Sequence, residues 1–258
     1  MQRTLSLAIA IVLSAASLAA QKSKPLTDSE LAEISARGRF LAEYDNASWH
    51  ATDAVLALKP EDGAIGRYIA RKTDAGWVVV FGRLNEAKDS FLIVYEAIQG
   101  SDPQQFTVKK YDPPQDDVAF YLIAARAIGT ALRNSQLEKR PYNTCVLPLS
   151  SGQMYVYVLP AQTKTDIYPL GGDVRYLMSA DGATIVETRQ LHKTILENKP
   201  PDKSAKRVAG FHTHALTDVP EDTDVFHVLR QKPPLPEYVG TKSGIYVVQT
   251  DGTILRGK

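Results

Sequence analysis

Three segments rich in Val, Ile, Tyr and Phe follow one another at 64–71, 76–83 and 90–98, divided only by Asp74-Ala75-Gly76 and by the polar stretch from Asn85 to Asp89. Segments of this length and composition, bounded by turn residues, read as strands. Because they run consecutively and do not alternate with helices, they predict an antiparallel meander and place the chain in the α+β class.

Helices flank that meander. Thr27-Asp28-Ser29-Glu30 has the spacing of a capping box, and Leu31, Ile34, Phe40, Leu41, Tyr44 and Trp49 follow at roughly helical intervals. Together they predict a long helix over 28–58, with Gly38 or Asn46 as a point of bending and Pro60 with Asp62-Gly63 as its stop. A short strand over 106–111 precedes Pro113-Pro114, and Val118, Leu122, Ile123, Ala127, Ile128 and Leu132 mark a second helix within 116–134. After Pro141 strands return at 144–149, 153–160, 173–179 and 184–191, the last two joined at Asp181-Gly182, a hairpin signal. The chain closes with a strand over 208–214, a short helix over 221–230, and strands over 244–249 and 253–255 around Asp251-Gly252. The expected fold is α+β: antiparallel sheets with a long N-terminal helix and a second central helix. The expected division is a signal peptide at 1–19, an N-terminal α+β region at 20–140 and a C-terminal region at 141–258.

Residues 1–19 have the layout of a secretory signal: Arg3, an apolar core from Leu5 to Leu13, and the small-residue site Ser17-Leu18-Ala19. They predict a periplasmic or secreted protein with no membrane span once the signal is removed. Removal takes away Arg3 and no acidic residue, so the 30 basic and 29 acidic residues of the whole chain become 29 and 29. A balanced chain has no electrostatic footprint for nucleic acid or an anionic membrane, so neither is expected as a partner. The expected partner is an unidentified protein or peptide, which the charge does not specify. Cys145 is the only cysteine, so no intrachain disulfide forms and stability must come from an ordinary core. Cys145 itself, in an apolar strand, is expected to be a buried small hydrophobe.

The chemistry is concentrated at Gly210-Phe211-His212-Thr213-His214 and the acidic run Asp218, Glu221, Asp222 and Asp224. On a strand over 208–214 the two histidines point to one face, about 7 Å apart, and can share a metal ion. A zinc site that hydrolyses needs three protein ligands and an open position for water. Asp224, in the first turn of the following helix, is the first choice for the third ligand; Asp218 and His192 are the alternatives. Without a metal, the pair would face solvent or hydrogen-bond to Asp218 and Asp224. His227 is read as an ordinary face of the short helix and His50 as a surface residue. Gly171-Gly172 precedes a strand and therefore makes no phosphate loop.

This stretch resembles the C-terminal part of the JAMM (MPN) metalloproteases. There the pattern is His-x-His, usually seven residues, Ser, two residues, Asp, with both histidines and the aspartate on zinc and an upstream glutamate as general base. The resemblance covers 173–256 and implies a JAMM-like α/β sandwich in which His212, His214 and Asp224 hold zinc, with Glu187 or an unassigned carboxylate as the general base. It departs from the pattern at Glu221, which stands at the serine position with only six residues between it and His214 and cannot donate to an oxyanion when ionised. Two functions follow from the resemblance: a zinc-dependent hydrolase of (iso)peptidase type, or a non-catalytic envelope protein that uses a degenerate JAMM-like scaffold for binding or assembly.

Overall fold

The computed structural model describes residues 26–197 and 206–257; the segment read as a signal, 1–19, lies outside them. The chain opens with α1 (Asp28–Leu56), capped by Thr27 as its spacing predicts: the Thr27 hydroxyl accepts from the Glu30 amide and the Glu30 carboxylate accepts from the Thr27 amide. Then come β1 (Arg67–Thr73), β2 (Gly76–Leu84), β3 (Phe91–Gln99) and β4 (Phe106–Asp117), which form one antiparallel sheet in sequence order. Helix α2 (Phe120–Asn134) leads to a second meander of β5 (Tyr142–Pro148), β6 (Met154–Pro160), β7 (Val174–Met178) and β8 (Ile185–Gln190). The third sheet holds β9 (Gly210–Thr213), β10 (Glu237–Thr241), β11 (Gly244–Val248) and β12 (Ile254–Arg256) in the order β12-β11-β10-β9, with α3 (Asp222–Arg230) between β9 and β10. Three helices with three largely antiparallel sheets make this a mixed α+β fold among the described residues.

Period-two alternation decides which core each strand residue enters. Trp77, Val79 and Phe81 of β2 and Tyr157 and Leu159 of β6 join the core that includes Leu41, Tyr44, Ala47, Ala51 and Val55 of α1. The intervening Val80, with Val156 and Val158, joins the core formed with Ala124, Ala125, Ala127, Ile128 and Ala131 of α2. Both cores therefore draw on residues from either side of residue 140, and burying each of the larger aliphatic side chains contributes about 1.5–3 kcal/mol. Cys145 is buried in the first of them.

The third core joins Leu31 and Ile34 of α1 to Val225 and Val228 of α3 and to Val239, Tyr246 and Val248. Gly38 serves this junction: a Cβ there would lie 2.4 Å from the Val225 Cβ and 2.6 Å from the Asp222 carbonyl oxygen, so only glycine lets the two helices approach.

Three local expectations change. β4 does not stop before Pro113-Pro114 but runs on to Asp117: it is an edge strand, and the two prolines fall in the irregular stretch where its register with β3 shifts between Ile93 and Tyr95, so neither removes a ladder bond. β10, unmarked by any long apolar run, forms directly after the 232–236 connector. It pairs with β9 in parallel, the one departure from antiparallel pairing in the named strands, and α3 supplies the crossover such pairing needs.

Candidate metal centre

β9 alternates as expected: Gly210, His212 and His214 face inward and Phe211 and Thr213 outward. His214 lies one residue beyond the strand but keeps the alternation, since its amide still donates to the Gly240 carbonyl at 2.8 Å. Asp224 enters from the first turn of α3. Its Oδ2 accepts from the Glu221 amide at 2.7 Å, which fixes the carboxylate and satisfies one orphan donor of the helix start.

His192 comes from the other sheet, two residues past β8. Its approach depends on Gly171-Gly172, both at positive φ (88° and 66°). A Cβ on Gly171 would lie 2.2 Å from the Thr194 carbonyl oxygen, and one on Gly172 2.2 Å from Ile195, so the pair of glycines is the seat on which the His192 segment rests.

The four side chains converge. His192 Nε2 lies 2.9 Å from His214 Nε2 and 3.1 Å from Asp224 Oδ1. His212 Nε2 lies 3.2 Å from His214 Nε2 and 3.1 Å from Asp224 Oδ1, and His214 Nε2 lies 3.2 Å from Asp224 Oδ2. Nitrogen and oxygen ligands at the usual zinc distances stand roughly 3.3 Å apart in a tetrahedron, so these separations are those of a first coordination sphere. All four residues are at most 8% exposed. The group can hold a metal ion.

Each imidazole is anchored at its far nitrogen. His192 Nδ1 faces Asp173 Oδ1 at 2.8 Å, His212 Nδ1 faces Glu237 Oε1 at 2.9 Å, and His214 Nδ1 faces the Val219 carbonyl at 2.7 Å. Acceptors at all three Nδ1 atoms hold a proton there, so Nε2, the atom each ring turns toward the shared centre, is the one that gives up its proton when a metal binds. Gly210 makes room for one of these anchors, since a Cβ there would fall 1.6 Å from Glu237 Oε2.

Electrostatics state the same demand for positive charge. Burial opposes protonation of His192, but Asp173 and Asp224 overcome it and its pKa lies well above the ordinary value. Burial also opposes protonation of His212, yet hydrogen bonds to Asp224 and Glu237 push its pKa up to about 9. Asp224, which burial alone would drive toward the neutral form, is held well below the usual carboxylate range by the three histidines.

The remaining acidic residues have separate tasks. Asp222, fully buried, accepts from Arg37 Nε at 2.8 Å and from Tyr157 Oη and Arg175 Nη1 at 2.7 Å each, tying the start of α3 to α1 and to the second sheet. Glu221 receives Arg189 Nη2 at 2.6 Å; burial raises its pKa and Arg189 offsets part of that rise. Asp218 lies in the loop before α3, outside the converging group, and its carbonyl accepts from Ser243. Glu187 is exposed on β8, opposite Leu177, and is not one of the four converging residues.

His227 does not face solvent as an ordinary helix residue would. It is buried, its ring nitrogens make no well-formed hydrogen bond and only a weak contact with the Pro169 backbone, and burial lowers its pKa to about 3. His50 is half-buried on α1 and stacks on Trp49 at 4.8 Å.

Asp173 and Glu237, which anchor two of the histidines, are site residues that sequence reasoning missed. Neither lies in a motif, and each becomes legible only when the partner strand places it behind a histidine. Comparison with family models, with curated proteins and with solved structures finds no match to this chain. Among the described residues no helix is long and apolar enough to cross a membrane.

Proposed function

We propose that this is a periplasmic or secreted zinc protein in which a four-donor, closed centre fixes a JAMM-like scaffold for binding or assembly, not for hydrolysis. One observation carries the reading: His192 Nε2, at 2.9 Å from His214 Nε2 and 3.1 Å from Asp224 Oδ1, takes the place that a hydrolytic zinc keeps for water. Three imidazoles and one carboxylate suit zinc among the common divalent ions, since magnesium and calcium prefer all-oxygen shells. Zinc here would supply positive charge and a fixed tetrahedral geometry. Asp173, Glu237 and the Val219 carbonyl would hold the histidines in the matching tautomer.

A second reading, the zinc (iso)peptidase, has its own support. Glu221 is a buried carboxyl of raised pKa directly beside Asp224, as a general acid or base would be, and Glu187 shares a strand face with its partner Arg189. That reading requires His192 to leave the ligand position.

Metal analysis of the mature protein after gel filtration tests the proposal. The expected result is one zinc per chain, lost in His212→Ala, His214→Ala and Asp224→Ala. Zinc absent from the wild type at neutral pH would remove both readings. Peptide or isopeptide cleavage by the zinc-loaded wild type would replace the first with the second, and cleavage gained only in His192→Ala would show a hydrolytic scaffold shut by its fourth ligand.

A further inference from the structure

A second site lies away from the metal centre, in a cleft of about 1250 Å³ between α1, the start of β1, the 161–168 loop and the end of α3. Lys59, Glu61, Asp62, Lys164, Asp166 and Lys232 also line it but are exposed, and Arg67 is engaged with the Ala125 carbonyl, which leaves Asp45 and Arg230 as its less exposed charges. Asp45 of α1 and Arg230 of α3 both line it, yet they form no ion pair with each other. Asp45 is touched by the Asn143 amide at the limit of hydrogen bonding, 3.5 Å. Arg230 is held by rings, its guanidinium 5.0 Å from the Phe226 centroid and 5.9 Å from that of Tyr168, a mounting that leaves its N–H edges free.

A third group is unsatisfied. Ser48 lines the cleft, is 4% exposed, and its hydroxyl has no hydrogen-bond partner. A buried hydroxyl without a partner costs about 1–3 kcal/mol, and this oxygen is shut off behind the cleft wall, so it plays no part in what the cleft binds. Leu56, Ile65 and Phe81 add apolar wall.

A carboxylate and a guanidinium that line one cleft with no ion pair between them are complementary to a molecule carrying both charges. We propose that the cleft binds a small zwitterion with an apolar side chain, a free α-amino acid or dipeptide, its ammonium on Asp45 and its carboxylate on Arg230. The fork of Arg230 matches a carboxylate bidentately, and Asp45 has acceptor capacity to spare for an ammonium. Burial raises the Asp45 pKa while Arg230 draws it down; an arriving ammonium acts in the same direction as Arg230. The site is independent of the metal centre and stands whether or not zinc binds.

Calorimetric titration of the full mature chain with leucine and with Leu-Leu tests this. Binding of either is expected, weakened at least about tenfold when the amine is blocked (N-acetyl-leucine) or the carboxylate is blocked (leucinamide), because each block removes a charged hydrogen bond. Asp45→Asn and Arg230→Gln should each reproduce one of these losses, with metal content unchanged as the check on folding. Failure of both free ligands to bind at millimolar concentration overturns the proposal, as does equal binding of the blocked forms. The blocked ligands test it on the wild type even if a variant misfolds.

Discussion

Asp173 and Glu237 never touch the proposed ion, yet they decide how well the histidines present their lone pairs. Glu237 is 1% exposed and its Oε1 is the hydrogen-bond partner of His212 Nδ1. Glu237→Gln and Asp173→Asn are expected to leave the fold intact and to weaken metal binding by about 10–100-fold, read by competition with a chromogenic chelator. The pH response separates the two states of the centre. In metal-free protein His212 has a folded pKa raised to about 9. A raised pKa gives stability that is fully present below the unfolded value, about 6.5, and is lost as pH rises through the folded one. Metal-free protein should therefore become easier to unfold in urea between about pH 6.5 and 9. Metal-loaded protein should show the opposite slope, gaining stability as pH rises through the histidine range because protons and metal compete for the same nitrogens.

At the scale of elements, the close pass of α1 over α3 is the contact most exposed to a single methyl group. Gly38→Ala would drive a Cβ into Val225 and the Asp222 carbonyl. The expected cost is about 1–3 kcal/mol, measured by urea unfolding. Metal affinity should fall with it, because Asp224 lies on the same helix turn. Elements are also where legibility ended. His212, His214 and Asp224 were readable because strand alternation and a helix's first turn are local rules, spanning a few residues each. His192 was readable only as an alternative, since its place depends on the seat at Gly171-Gly172 and on two sheets meeting, neither of which leaves a local signal. Glu187 and His192, five residues apart, have opposite fates, one exposed on β8 and one buried past its end. β10 escaped because four of its five residues, Glu237, Tyr238, Gly240 and Thr241, carry no apolar aliphatic side chain, and its pairing comes from β9 and β11.

At the scale of the whole molecule, the four donors join the end of the second sheet to β9 of the third and to α3. Chelation should therefore loosen one part of the molecule against another without dissolving either of the two larger cores. With free metal at a thousand times its Kd the linkage is worth about 4 kcal/mol, so chelator should lower Tm on the order of 10 °C. A scan with and without chelator checks this, and an unchanged Tm would mean that no ion is carried. The α+β class itself was legible from the order of strands and helices alone, because consecutive strands restrict topology more than any single residue does.

The parallel pairing of β9 with β10 has a further consequence, in time. His212 leaves the ribosome 25 residues before Glu237, the group that aims it. Until β10 has followed α3 across and settled beside β9, the growing chain holds histidines that are present but undirected. Charging with metal would thus be a finishing event, deferred until translation has passed the third sheet and completed in whichever compartment the finished chain reaches.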